Sequence, residues 1–279
     1  MKKTLLLMLV NLMAFNAFNQ NDLTPDQKKA IEYHDLGYLS YLGKDYETAI
    51  DNFTKSIKLD SMLIGNYIDR GNTYRDNGQF AEAEKDFKTV IRLGNEEAFQ
   101  GYNNLGNLYK KQKKYLEAIN QFNQAIIQNS KCFECYYNRA QTYEKLSKSK
   151  EAIIDYTSAI KLNSSYSNAY YKRGNVKYAS SDITGAISDY TEALKYNPEK
   201  PEEVRHNRGM CYMELKQYDK GKVDFEFFVT KVKTNADAYY NLGVCCYYLD
   251  KFTDACLNAK KSLSLGKKDS QELINVACK

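Results

Sequence analysis

A small residue recurs in this chain every 34 or 35 residues, and this period constrains the fold more than any other feature. A fixed period of this length indicates a repeat array in which each unit packs against its neighbours. A second series of small residues lies twelve positions behind the first. The first series is Gly37, Gly71, Gly106, Ala140, Gly174, Gly209 and Gly243; the second is Ala49, Ala83, Ala118, Ala152, Ala186, Gly221 and Ala255.

Each unit is predicted to contain two helices that pack against each other. Apolar residues recur at three- and four-residue steps within Tyr170–Ser180 and Thr184–Tyr196, the pattern of amphipathic helices. Polar residues Ser180–Asp182 separate the two segments, and Pro198 follows the second. We expect the small residues to let the two backbones approach, while aromatic side chains fill the surrounding space. These aromatics are Tyr33, Tyr67, Tyr102, Tyr136, Tyr170 and Tyr239, and Phe53, Phe87, Phe122, Tyr156, Tyr190 and Phe225.

The third unit shows the whole pattern most clearly, in Tyr102, Leu105-Gly106, Tyr109, Ala118, Phe122 and Ala125. These residues resemble the tetratricopeptide repeat family, and the resemblance extends over about residues 30 to 269. It implies an all-α fold, a right-handed α-solenoid of about seven helix-turn-helix repeats with a C-terminal capping helix. The chain departs from the family pattern where arginine replaces the usual leucine, at Arg70, Arg139, Arg173 and Arg208. The seventh unit also lacks its late aromatic residue.

One solenoid domain is expected over residues 21–279, with repeats at 30–63, 64–97, 99–132, 133–166, 167–200, 202–235 and 236–269. Thr24-Pro25-Asp26-Gln27 combines an N-cap, a first-turn proline and a capping glutamine, which places the first helix start near Pro25. Residues 270–279 carry Leu273, Ile274 and Ala277 on one side. Because a terminal repeat cannot leave its apolar face bare, this segment is predicted to be the capping helix.

The first twenty residues have the layout of a signal peptide. Lys2 and Lys3 precede an apolar run from Leu5 to Phe15, which is short for a membrane span. The pattern predicts cleavage between Ala17 and Asn21, export to the periplasm or the medium in a bacterium, and no stable membrane span in the mature chain. An uncleaved N-terminal anchor is the alternative.

Charge and motifs exclude several classes of function. The formal net charge is +5, and two of those charges belong to Lys2 and Lys3, so no nucleic-acid partner is expected. The basic run 110–114 is interpreted as a solvated turn between helices. The chain has no phosphate-binding glycine loop and no hydrolase or zinc-protease motif. We therefore expect no enzyme and no cofactor.

Cysteine chemistry is the one catalytic alternative. Cys132 and Cys135 form a C-x-x-C motif, which is a candidate disulfide pair at the start of a helix. A thiol-redox protein using this pair is a secondary hypothesis, because such motifs usually follow a strand. With two histidines far apart and no second C-x-x-C, no metal site is expected. Three further cysteines, Cys211, Cys245 and Cys246, are predicted to be buried.

The first helices of the repeats are expected to line a concave groove that binds a protein or peptide segment. Aromatic rings offer large contact areas, and asparagine amides can donate and accept at a peptide unit. The family resemblance likewise implies that such asparagines hold an extended peptide. The predicted groove residues are Tyr38, Asn72, Asn104, Asn107, Tyr137, Asn138, Tyr171, Asn175, Tyr178, His206 and Tyr240. Tyr178 has a second interpretation, as a core filler replacing the usual tyrosine at Lys177.

The resulting hypothesis is a non-enzymatic interaction scaffold or adaptor whose partner is a peptide or protein. A structural subunit of an envelope assembly is the alternative from another class. Grooves that bind acidic chaperone tails need a lysine at the position of Ile68, Asn103 or Tyr137, and none is present. Such a tail is therefore disfavoured as the partner.

Overall fold

A computed structural model describes residues 23–278 and shows fifteen α-helices and no strand among them. The predicted signal peptide, residues 1–20, and its cleavage region lie outside these described residues. The all-α prediction is confirmed. Within the described part, no helix is long and apolar enough to cross a bilayer. By its internal contacts the chain divides after Ser130 into two compact units.

The first unit contains three helix pairs. In each pair the first helix packs against the second, and the second packs against the first helix of the next pair. A short 3-10 turn, Asn95–Glu97, precedes the third pair. The helices are α1 Pro25–Leu42, α2 Tyr46–Leu59, α3 Ile64–Asp76, α4 Phe80–Leu93, α5 Ala98–Lys111 and α6 Tyr115–Gln128.

The second unit contains four helix pairs and a final short helix, packed in the same consecutive manner. The helices are α7 Phe133–Lys145, α8 Ser149–Leu162, α9 Ser167–Ala179, α10 Ile183–Lys195, α11 Pro201–Glu214, α12 Tyr218–Lys231, α13 Ala236–Tyr248, α14 Phe252–Ser264 and α15 Ser270–Ala277. With the first unit this makes seven helix pairs and a cap, as the period predicts.

The first helix begins where the sequence places it. The Oγ1 of Thr24 accepts the backbone N–H of Gln27 at 3.2 Å, and Oε1 of Gln27 accepts the backbone N–H of Thr24 at 3.0 Å. This capping box satisfies two amide groups that a helix start otherwise leaves unpaired.

The first series of small residues lies directly against the late aromatic ring of the partner helix. A Cβ built on Gly106 would lie 2.6 Å from Cε1 of Phe122, and one on Gly71 equally close to Phe87. The aromatic ring therefore lies at the close contact itself. The second small residue lies there too, as predicted: a Cβ built on Gly221 would lie 3.4 Å from the carbonyl oxygen of Gly209, and one built on Gly243 would lie 3.3 Å from that of Ala255. This arrangement explains why the first series and the late aromatics share one period.

All seven turns within the helix pairs place one residue, at the same position of the turn, in the left-handed region of backbone conformation. Its φ lies between 56° and 83°, at Lys44, Gly78, Lys113, Ser147, Ser181, Lys216 and Asp250. One of these is glycine, and the other six hold a side chain where L-residues are disfavoured. Of the basic run 110–114, only residues 112–114 lie in the turn that contains Lys113, while Lys110 and Lys111 are the last residues of α5.

Each arginine that departs from the family pattern forms an ion pair with a buried aspartate sixteen residues later, on the second helix of the pair. Arg70 donates through Nε and Nη2 to Asp86 at 2.8 and 2.7 Å. The same two-point contact joins Arg139 to Asp155, Arg173 to Asp189 and Arg208 to Asp224. In the three repeats that keep leucine, the aspartate position holds Asn52, Gln121 or Asn258. The two positions therefore change together.

Helix α15 completes the seventh repeat, which lacks a late aromatic residue. A Cβ built on Gly243 would lie 3.0 Å from Cδ2 of Leu273, so the capping helix supplies the missing apolar group. Leu273 and Ala277 are buried in the cluster around Leu242. A disulfide between Cys256 and Cys278 ties the end of this segment to α14. No sequence motif predicts this pairing.

Candidate functional site

The predicted binding residues of each unit all lie on its first helices. We call these two sets of residues the first-helix faces. That of the first unit consists of Tyr38, Asn72, Asn104 and Asn107; that of the second consists of Tyr137, Asn138, Tyr171, Asn175, Tyr178, His206 and Tyr240. Tyr38 is exposed and the other ten residues are half-buried.

A fixed carboxylate joins the three helices of the first face. Asp76 on α3 accepts hydrogen bonds from the hydroxyl of Tyr41 on α1 at 2.9 Å and from Nζ of Lys111 on α5 at 3.2 Å. Nε of Arg75 donates to it at 3.1 Å. Burial alone would raise the pKa of Asp76, but these donors hold it below the usual value. The carboxylate thus stays ionised and fixes the relative positions of its neighbours.

The asparagines of the first face differ in what they have left to offer. Oδ1 of Asn72 accepts from Nη1 of Arg75 at 2.9 Å, so its oxygen is already used. In contrast, the half-buried side chains of Asn104 and Asn107 have no hydrogen-bond partner within residues 23–278. These two amides, on successive turns of α5, keep both a donor and an acceptor for another molecule, whereas Asn72 keeps only its Nδ2 hydrogens.

A hydrogen-bond network fixes Asn175 on the second face. The hydroxyl of Tyr190, buried beneath the face, donates to Oδ1 of Asn175 at 2.8 Å. Nδ2 of Asn207, from the next repeat, donates to the same oxygen at 3.1 Å and to the hydroxyl of Tyr171 at 3.3 Å. Because its oxygen accepts twice, Asn175 has its Nδ2 hydrogens left to donate. The sequence pattern had assigned Tyr190 to packing and did not reveal its hydroxyl as part of the site.

Tyr178 combines the two roles that the sequence left open. It packs against the hydrophobic cluster around Tyr190, as a filler would. Its hydroxyl also donates to Oε1 of Glu214 in the next repeat at 2.8 Å. Burial and this carboxylate raise the pKa of Tyr178 to about 12. Lys177, which occupies the usual tyrosine position, instead places its Nζ 2.9 Å from Oδ2 of Asp189.

Three other predicted residues contribute mainly to packing. The ring of Tyr137 lies edge-on to Tyr166, with centroids 4.9 Å apart. The ring of His206 lies 4.7 Å from that of Phe228, and burial lowers the pKa of this histidine. Tyr240 packs against the hydrophobic cluster of the seventh repeat. The exposed edges of these three rings contribute area to the face, while packing contacts with buried residues fix their positions.

The C-x-x-C cysteines form a disulfide at the start of α7. Cys132 and Cys135 are bonded to each other and are 5% and 0% exposed. Thiol exchange requires access to a sulfur atom, so this burial does not favour redox catalysis. The three cysteines predicted to be buried, Cys211, Cys245 and Cys246, are buried and free. Within the described residues, no group of three His, Cys, Asp or Glu side chains could hold a metal ion.

Comparison with known proteins places these features in a family. Three tetratricopeptide repeat models match the chain, over residues 68–131, 133–166 and 202–226. Among solved structures, YrrB, described as a TPR protein with an unusual peptide-binding site, is 23% identical. The match covers 69% of this chain and 97% of YrrB, with a TM-score of 0.60.

Two further solved structures cover more of the chain. The C-terminal part of a TPR repeat-containing protein from Cytophaga hutchinsonii is 17% identical and covers 85% of this chain and 98% of its own length, with a TM-score of 0.64. A tetratricopeptide repeat protein from Parabacteroides merdae is also 17% identical and covers 90% and 100%, with a TM-score of 0.56. At these identities the likeness establishes the fold, a tetratricopeptide solenoid.

Proposed function

The chain belongs to the tetratricopeptide repeat family, which supports a role as a protein-interaction scaffold, and we propose that it binds an extended peptide on the first-helix face of its second unit. The observation that carries this proposal is the fixed amide of Asn175. Two donors, from Tyr190 and Asn207, hold its oxygen, so its nitrogen is oriented before any partner arrives. A preorganised group loses less entropy on binding than a mobile one.

The expected contact is a hydrogen bond from Nδ2 of Asn175 to a peptide carbonyl. Tyr171 and Tyr178 lie four residues before and three after Asn175, so their rings flank that contact on one helix face. Aromatic side chains beside a hydrogen-bonding group are typical of residues that dominate the energy of an interface. Neither the envelope-subunit alternative nor the redox alternative has a comparable observation in its favour.

We also propose that the chain works outside the reducing cytoplasm. Its two disulfides, Cys132–Cys135 and Cys256–Cys278, form and persist in oxidising compartments. Together with the signal-like residues 1–20, they favour the periplasm or the medium in a bacterial host. N-terminal sequencing of the protein from its native host is the test of cleavage; an intact Met1 in membrane-bound material would favour the uncleaved N-terminal anchor instead.

The binding proposal is tested by capturing partners from the native envelope fraction and comparing variants. Asn175→Ala should weaken a captured peptide by roughly 1–3 kcal/mol, about 5- to 150-fold, through one lost buried hydrogen bond. The control is Gln128→Ala, which removes an exposed amide at the end of a second helix. A captured partner that binds both variants as tightly as the unmodified protein would refute this site.

A further inference from the structure

Asn66, on α3, is a buried amide without partners. It is 1% exposed, and neither its Nδ2 nor its Oδ1 has a hydrogen-bond partner within the described residues. The equivalent position in the five following repeats holds a small or apolar residue, buried in each case: Gly101, Cys135, Ala169, Val204 and Ala238. An unpaired buried amide lowers stability, so its presence in this one repeat calls for an explanation.

Asn66 forms part of the wall of a cavity of about 510 Å³ in the first unit, although its two unpaired amide atoms are themselves closed off from solvent. The volume is large enough for a small ligand or one amino-acid side chain with its backbone. Apolar groups form part of the wall, contributed by Met62, Leu63 and Ile64 in the loop before α3 and at its start. Met62 is 67% exposed, which leaves its flexible thioether side chain free to cover a ligand.

The charged groups of this cavity are predominantly acidic. Asp35 and Glu97 line it, and no lysine or arginine does. Its single histidine, His34, lies 2.9 Å from Asp69 and 3.5 Å from Asp35, so any positive charge on it is already matched. The carboxylate of Glu97 has no ion pair within residues 23–278. An unmatched carboxylate beside an apolar wall favours a ligand that has an aliphatic stem and a cationic end.

We propose that this cavity binds a lysine or arginine residue of a partner peptide. The aliphatic stem lies along Met62 and Leu63, and the cation lies near Asp35 and Glu97. The side chain of Asn66, whose amide atoms are closed off from solvent in the structure, rotates toward the cavity and pairs with the peptide unit. An asparagine side chain can both donate to and accept from one peptide unit, which would satisfy both of its unpaired atoms. The inference rests on the proposed interaction function and adds the chemistry of one partner residue.

The probe is N-acetyl-lysine methylamide, and the readout is the side-chain amide signal of Asn66 in NMR titrations of the whole protein. A ligand of this size should bind with a dissociation constant on the order of 1 mM. The norleucine analogue, which has a similar stem and no charge, should bind about tenfold more weakly. Equal affinities, or no shift of the Asn66 signal with the lysine probe, would overturn the proposal.

Variants separate binding from architecture. Asn66→Ala installs the residue that the fifth and seventh repeats use at this position, so it should fold, melt at the same temperature or higher, and lose the probe. If Asn66 serves the architecture instead, through a bound water, the variant would melt at a lower temperature and bind the probe unchanged. Glu97→Gln should weaken the lysine probe severalfold, whereas Glu96→Gln, a neighbouring exposed carboxylate outside the cavity wall, should not.

The two proposals fail separately. Loss of partner binding in Asn175→Ala concerns the second unit alone, and probe binding concerns Asn66 in the first. If the partner depends on Asn175 while the lysine probe does not bind, the cavity proposal is wrong and the peptide-binding proposal stands. If the probe binds and no partner depends on Asn175, the reverse holds.

Discussion

The paired change of arginine and aspartate gives a stability prediction for which the chain supplies its own control. Asp86 is 5% exposed and receives two bonds from Arg70, which is 16% exposed and also donates to Thr54 at 3.0 Å. Arg70→Leu would leave a buried carboxylate without its cation, and this should lower the free energy of unfolding by about 3–5 kcal/mol. Asp86→Gln should cost about 3 kcal/mol, since the arginine retains Thr54 and some contact with water.

The double variant Arg70→Leu with Asp86→Gln should be within about 1 kcal/mol of the unmodified protein, because replacing a buried ion pair outright is often close to neutral. It reproduces the pair found in the next repeat, Leu105 with Gln121. The measurement is urea denaturation followed by far-UV circular dichroism for all four proteins. Single variants that cost less than 1 kcal/mol would mean that the pair behaves like a surface salt bridge. A double variant as unstable as the worse single would refute the compensation itself.

Three further predictions concern the turns, the histidines and the cap. Ser181→Gly should raise the free energy of unfolding by about 0.5–1 kcal/mol in the same urea assay, because φ at this residue is 64°. The hydrogen bond with Asp69 raises the pKa of His34, so its contribution to stability is complete below about pH 6.5 and is lost as pH rises through the folded pKa. Burial lowers the pKa of His206, so this histidine costs stability as pH falls below about 6.5; glutamine variants of the two should change the pH dependence of the melting temperature in opposite directions. Cys278→Ser removes the disulfide that ties α15 to α14 and should cost about 3 kcal/mol, seen as faster hydrogen exchange in α15.

The fold can be predicted from the sequence because the period of 34 or 35 residues arises from one packing contact that every repeat makes. Gly106 and Phe122 recur together since a Cβ at one position would collide with the ring at the other. A one-dimensional array repeats such contacts at a fixed spacing, so a single chain is enough to reveal them. The same logic extends to the arginine departures. An aspartate follows sixteen residues later only in the four repeats that have the arginine. This correlation can be read from the sequence, but it is separate from the pattern of small and aromatic residues that predicts the fold.

The second disulfide, the unpaired amide of Asn66 and the cavity depend on three-dimensional distances that the spacing of residues along the sequence does not predict. Cys256 and Cys278 carry no motif, and their pairing requires α15 to fold back onto α14. Asn66 differs from Ala169 and Ala238 in sequence, but its lack of hydrogen bonds is visible only once its surroundings are known. The cavity that it lines is formed by three segments that are distant along the chain: residues 31–35, residues 62–66 and Glu97. Sequence periodicity thus predicts the fold, and residues that depart from the periodic pattern indicate candidate sites.

The hydroxyl of Tyr190 shows how a packing position can also prepare a binding residue. The equivalent positions in four other repeats hold phenylalanine, Phe53, Phe87, Phe122 and Phe225, so Tyr190→Phe keeps a ring that this fold accepts.

The substitution removes one of the two donors to Asn175 and should lower the free energy of unfolding by about 1 kcal/mol. Its larger effect should be on binding: a captured partner should bind several-fold more weakly, because Asn175 would lose part of its fixed orientation. The matched control is Tyr156→Phe, which removes the equivalent hydroxyl from the preceding repeat, where it donates to Glu144. That variant should leave binding at Asn175 unchanged. Equal losses of affinity in both variants would mean that the two hydroxyls act through general stability, and the proposed role of Tyr190 in orienting Asn175 would be wrong.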